Sequence, residues 1–217
     1  MSAPATVDAL LPLSLLEAMR TVDAPEDGHD TEYVPELRNK RLGLSEPIYA
    51  QIRRYSLAAK KSQRTPYDEA VAIARLIGRR GDAAAVFASA GRILARQSYV
   101  TASPFARQVI LILPALLARP LALSQARRIA KRFLNGKVSR VGSSLRLVVS
   151  DSVTLDTAPK ERGCSYYESV LRELIRLLVG GTGAVEHVRC ASRGQPTCEW
   201  RVEWRPLDRR RIESATP

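Results

Sequence analysis

Apolar positions in this chain recur with two spacings, and the change from one to the other divides the sequence. From Ser45 onward Ile48, Ile52, Tyr55 and Ala59 return every three or four residues, the period of a helix with one buried face. Thr65 and Pro66, followed by Glu69, predict an N-cap, a proline at the first helical position and a first-turn acid for a second helix that runs through Ile77. A third starts at Asp82 and carries Val86, Phe87, Ala90, Ile93, Leu94 and Tyr99. Ser103 and Pro104 open the next helix, whose apolar run VILILPALLA is kinked or ended near Pro114. Leu121 to Leu134 then presents Ala126, Ile129, Ala130 and Phe133 on one face and Arg127, Arg128, Lys131 and Arg132 opposite. Ahead of all these, residues 6–20 predict a short amphipathic helix with Ala9, Leu10, Leu13 and Leu16 on one side, its start blurred by Pro12.

After Asn135 and Gly136 the period falls to two. KVSRV and SLRLVVS alternate around Gly142 and Ser143 and predict a hairpin. Ser165 to Val179 is helical again, with a stripe of Tyr167, Val170, Leu171, Leu174 and Leu178 ended by Gly180 and Gly181. AVEHVRC and CEWRVEW follow as two strands joined by a turn through Arg193, Gly194, Gln195 and Pro196. Helices, hairpin, long helix and hairpin in that order predict an α+β domain with an antiparallel sheet rather than βαβ units. The domain reading is an acidic helix and linker arm over 1–40, one α+β domain over 41–206 and a flexible tail over 207–217.

Composition sharpens this in two respects. The net charge of +12 is unevenly spread: residues 1–36 hold eight acids against Arg20 alone, and the remainder holds thirty-three Lys and Arg against fourteen acids. Such a body can hold its own acidic leader, an acidic protein, an anionic membrane surface or, less in keeping with the absence of a recognition motif, nucleic acid. No apolar run reaches the roughly 20 residues of a membrane helix, and MSAPATVDALLPLSLLEAMR lacks a secretory signal pattern, so the expected location is the cytoplasm.

All three cysteines and one of the two histidines fall between Gly163 and Trp200. Cys164 stands at a helix start, where a thiolate is favoured. His187 and Cys190 close one strand, and Cys198 opens its partner eight residues later. Thiolate and imidazole are the donors of closed tetrahedral zinc sites, so Cys164, His187, Cys190 and Cys198 form a candidate structural zinc site. A flat strand would point His187 and Cys190 to opposite faces, so the site requires a bend or bulge there, and Glu186 is the alternative fourth ligand. The other histidine, His29, lies in the acidic linker.

The run CSYYESVLRELIRLLV, then EHVRC, then RGQPTCEWRVEW resembles the pattern of the 4-vinyl reductase domain family, most clearly over residues 163–204. The stretch AGRILARQSYVTASPFARQVILILPALLARPLALSQARRIAKRFLNGKVSRVG is more weakly similar to the helical part of its bacteriochlorophyll-pathway members, and residues 1–60 show no such similarity. The resemblance places Cys164, Cys190 and Cys198 on metal-binding cysteines of the phenol-sensing members, and His187 where the family usually carries Glu. It implies a fold like TRAPP vesicle-tethering subunits: a helical layer on a twisted antiparallel sheet, a homodimer and an apolar cavity. Candidate cavity residues are Phe87, Phe105, Ile110, Leu113, Phe133, Tyr166 and Tyr167, each of which also fits plain core packing. The chain carries no Gly-rich dinucleotide fingerprint, P-loop or nucleophile triad. The expected function is therefore a non-catalytic, zinc-stabilised binding or sensor module for a hydrophobic small molecule, including a tetrapyrrole intermediate. The alternatives are a basic interaction scaffold, using Arg127, Arg128, Lys131 and Arg132, and a tetrapyrrole vinyl reductase.

Overall fold

The structure is a computed structural model that describes residues 6–24, 42–101, 115–180 and 183–203. Among these residues it holds six α-helices and two antiparallel sheets, an α+β fold. In chain order the elements are β1 (Thr6–Asp8), α1 (Leu10–Asp23), α2 (Glu46–Lys60), β2 (Arg64–Pro66), α3 (Tyr67–Gly78), α4 (Ala83–Thr101) and α5 (Ala115–Phe133). They continue with β3 (Gly136–Val141), β4 (Ser144–Val149), α6 (Ser165–Val179), β5 (Val185–Arg189) and β6 (Cys198–Glu203). Short 3₁₀ turns at Leu42–Leu44, Pro159–Cys164 and Ala191–Arg193 link them.

The helix foreseen over residues 6–20 begins later, because Thr6–Asp8 is extended and pairs with Arg64–Pro66. The Asp8 carboxylate accepts from the Leu10 amide and so satisfies one of the free donors of the first turn, where Pro12 is tolerated. α1 is not amphipathic in the way the stripe suggested. Leu10, Leu11, Leu13, Leu15, Leu16, Ala18 and Met19 are all buried, and the helix packs against α4 within the same core that holds α6. Its end is tied down by Asp23, which accepts from the Gly43 amide and from Arg80. The pairing of β1 with β2 also corrects the reading of Thr65 and Pro66. Thr65 sits in β2 opposite Val7, Pro66 is the N-cap, and α3 starts at Tyr67.

The main sheet has the order β3-β4-β6-β5, all antiparallel, built from the two hairpins read from the sequence. Alternation sends Val138, Leu147 and Trp200 inward along one row. α6 lies over this face and against α4, where Gly91 lets the two helices meet closely: a Cβ there would fall 2.3 Å from the Tyr166 carbonyl oxygen. α6 ends on Gly180 at φ 65°, as the glycine pair predicted. The linker, the helix opening at Ser103 and Pro104, the kink near Pro114 and the tail lie outside the described residues, as do His29, Phe105, Ile110 and Leu113.

Candidate metal centre

Three elements converge at one end of the sheet. The turn Pro159–Cys164 delivers Cys164 as the N-cap of α6, β5 delivers His187 and then Cys190, and β6 opens on Cys198. The register between β5 and β6 shifts between His187 and Arg189, so the bulge required by the spacing of His187 and Cys190 is present. Without it, period-two alternation would separate the imidazole from the Cys190 thiol. Glu186, paired with Arg201, is exposed and outside the cluster, which leaves His187 as the fourth donor.

The ligating atoms of Cys164, His187, Cys190 and Cys198 all lie within 4.8 Å of one another, close enough to bind a metal ion. Cys164 Sγ and Cys190 Sγ are 3.7 Å apart. A tetrahedron with metal–sulfur bonds of about 2.3 Å has sulfur–sulfur edges of about 3.8 Å, so the spacing suits a single ion. His187 Nε2 is buried with no hydrogen-bond partner in the protein, as a nitrogen with a missing ligand would be. The other imidazole nitrogen, Nδ1, faces the Glu161 carboxylate at 3.8 Å, the side from which metal-bound histidines are commonly oriented.

The surrounding groups hold these donors in place. Glu161, at φ 59°, receives two bonds from Arg193 at 2.5 and 2.8 Å, which fastens the turn before α6 to the β5–β6 turn. That guanidinium holds the Glu161 carboxyl below its usual range. Gln195 Oε1 accepts from the Cys190 amide at 2.7 Å, and the Ala191 amide donates to Cys198 Sγ at 3.3 Å. His187 stacks on Trp200 at 4.8 Å and 8°, and Trp200 stacks on Tyr167 at 5.1 Å and 27°.

Proton sharing among the sulfurs follows from this packing. A hydrogen bond from Cys164 draws the Cys198 thiol down to about 4, helped by His187 and the Ala191 amide against the opposing effect of burial. The Cys164 thiol is correspondingly pushed far up, first by that bond and then by burial. A divalent ion replaces such protons when it binds.

The remaining sequence candidates fall elsewhere. Phe87, Phe133, Tyr166 and Tyr167 are buried in the core. Phe133 and Tyr167 also line a cavity of about 20 Å³ beside Lys131 and Arg132, room for about one water. Arg127 donates to the Val138 carbonyl and Arg132 pairs with Asp8 at 3.0 Å, while Arg128 and Lys131 are exposed. Glu161, Arg193 and Gln195 were not foreseen, because their roles depend on contacts across the folded junction. Among the described residues, no helix is long and apolar enough to cross a membrane. No protein-family model matches the chain, and no curated protein matches it.

Proposed function

We propose that the chain is a zinc-stabilised, non-catalytic binding or sensor module of the 4-vinyl reductase type, acting as a homodimer on a hydrophobic small molecule such as a tetrapyrrole intermediate. The observation that carries the structural part of this reading is the donor set itself. Three sulfurs and one imidazole at tetrahedral spacing suit zinc, and four protein donors leave no coordination position for water or substrate. Bound there, zinc supplies a crosslink between the start of α6 and the β5–β6 hairpin. The resemblance over residues 163–204 supplies the ligand class. Since the cavity beside Phe133 and Tyr167 is only about one water in volume, a tetrapyrrole must displace packed side chains to reach those aromatics.

Native mass spectrometry with elemental analysis of freshly purified protein tests the reading. One zinc per chain, a mass of two chains and retained organic mass are the expected result. A protein without bound metal removes the structural reading. A metal-loaded protein that neither retains nor binds tetrapyrroles removes the ligand class alone. Reduction of a divinyl tetrapyrrole by the purified protein with a supplied hydride donor would establish the reductase in its place.

A further inference from the structure

His187 is the one nitrogen donor among the four candidate ligands, and its ring can meet an ion in two poses. Trp200 stacks flat on the imidazole, with 8° between the planes, and Tyr167 stacks on Trp200 in turn. These contacts fix the plane of the ring. A half-turn about the Cβ–Cγ bond would leave that plane unchanged while exchanging Nδ1 with Cδ2 and Nε2 with Cε1, so stacking does not choose the pose. A polar partner can. Nδ1 faces the Glu161 carboxylate at 3.8 Å, and Nε2 is buried with no hydrogen-bond partner in the protein. The half-turned ring would offer the carboxylate a carbon instead.

The backbone and the salt bridge both bear on this carboxylate. Glu161 lies at φ 59°, a left-handed conformation that is costly for a residue with a Cβ and easier for glycine, asparagine or aspartate. Its turn is anchored two residues on, where the Thr154 hydroxyl donates to the Gly163 carbonyl at 2.8 Å. Both Glu161 oxygens accept from Arg193. Glu161 stands three residues before Cys164 and Arg193 three after Cys190, so the pair spans the two segments that carry these ligands.

We infer that Glu161 is the positioning residue of the metal centre: it accepts a hydrogen bond from His187 Nδ1–H and so presents Nε2 to the ion. Which ring nitrogen of a histidine takes a metal is set by the bond the other one makes. Ligation at Nε2 makes the Nδ1 proton more acidic, and a small side-chain shift brings the observed 3.8 Å to the about 2.8 Å of a charge-assisted bond. A clamp that served only to tie the two turns together would not depend on His187. This role rests on the metal reading above and is indifferent to what the module binds.

Competition for zinc between the full chain and a chromophoric chelator tests it. Glu161→Gln, which keeps the size of the side chain, should bind zinc about 10–100-fold more weakly. Glu161→Asn, a residue suited to φ 59°, should do the same and serves if the first variant misfolds. Arg193→Ala loosens the carboxylate without removing it, so its loss should be smaller. In a His187→Glu background, where the ligand has no N–H to give, adding Glu161→Gln should cause no loss. Nitrogen-15 spectra of the zinc-loaded chain, simplified by its two histidines, should show His187 bound to the metal through Nε2 and protonated on Nδ1. Three results would each overturn the role: Glu161 variants that bind zinc as tightly as the wild type, an equal loss in the His187→Glu background, or zinc on Nδ1. If His187→Glu takes up no zinc, the nitrogen-15 assignment decides. A wild type that takes up no zinc removes the metal centre and this role together, whereas equal affinity among zinc-loaded variants removes the role alone.

Discussion

Replacing Cys164 by Ser tests whether an ion held by the four donors clips the β5–β6 hairpin to the start of α6. Cys190, His187 and Cys198 all lie on β5, β6 and their turn, which backbone pairing already holds together. Of the four donors only Cys164 comes from outside this hairpin, so an ion bound to all four would close a loop of 26 residues from the start of α6 to Cys190. A crosslink over a loop of that length withdraws about 3.5 kcal/mol of conformational freedom from the unfolded chain. For a chain of this size that corresponds to about 7–14 °C in Tm. Scanning calorimetry of the wild type with and without a zinc chelator should show this shift. Cys164→Ser should unfold near the temperature of the chelated wild type and respond little to the chelator. Trp200 emission provides a second probe, because His187 stacks on that ring. If the wild type unfolds at one temperature with and without chelator, or if chelation lowers the variant as much as the wild type, the clip is not what holds the junction.

Gly91→Ala gives a test whose sign is diagnostic. In an open helix the change stabilises by about 0.5–1 kcal/mol, whereas here the new Cβ meets the Tyr166 carbonyl oxygen at 2.3 Å, so urea titration should show a loss of about 1–3 kcal/mol. Glu173, buried between Arg176 and Arg96, is held down to about 2 by those guanidiniums. A carboxyl depressed in the folded state contributes stability that is present above its unfolded value and lost as pH falls through its folded value. The stability difference between wild type and Glu173→Gln should therefore be about 1–2 kcal/mol at neutral pH, discounted for the exposed arginines, and should shrink as pH falls from 4.5 toward 2.

The donor set of the candidate metal centre was legible because Cys and His are rare in this chain and their spacing is restrictive. Three residues from His187 to Cys190 on a strand demand a bulge, and the β5–β6 register contains one. Both hairpins and the end of α6 followed from alternation and from Gly180. The β1–β2 pair was not legible. Three-residue strands leave no periodic trace, and Thr65-Pro66 with Glu69 reads as a capping motif until Val7 is known to lie opposite Thr65. The stripe of Ala9, Leu10, Leu13 and Leu16 likewise predicted a helix with one buried side, although burial extends over most of α1. The Glu161 clamp joins side chains 32 residues apart, and local patterning carries no signal for it.

The enclosed position of α1 has a consequence for synthesis on the ribosome. About sixty residues separate its last turn from the first turn of α4, the helix that covers it. At about 5–20 residues per second, this Leu-rich segment waits some 3–12 s for α4. α6, which completes the core, is translated later still. A nascent chain built in this order presents a greasy helix to holdase chaperones well before it can fold.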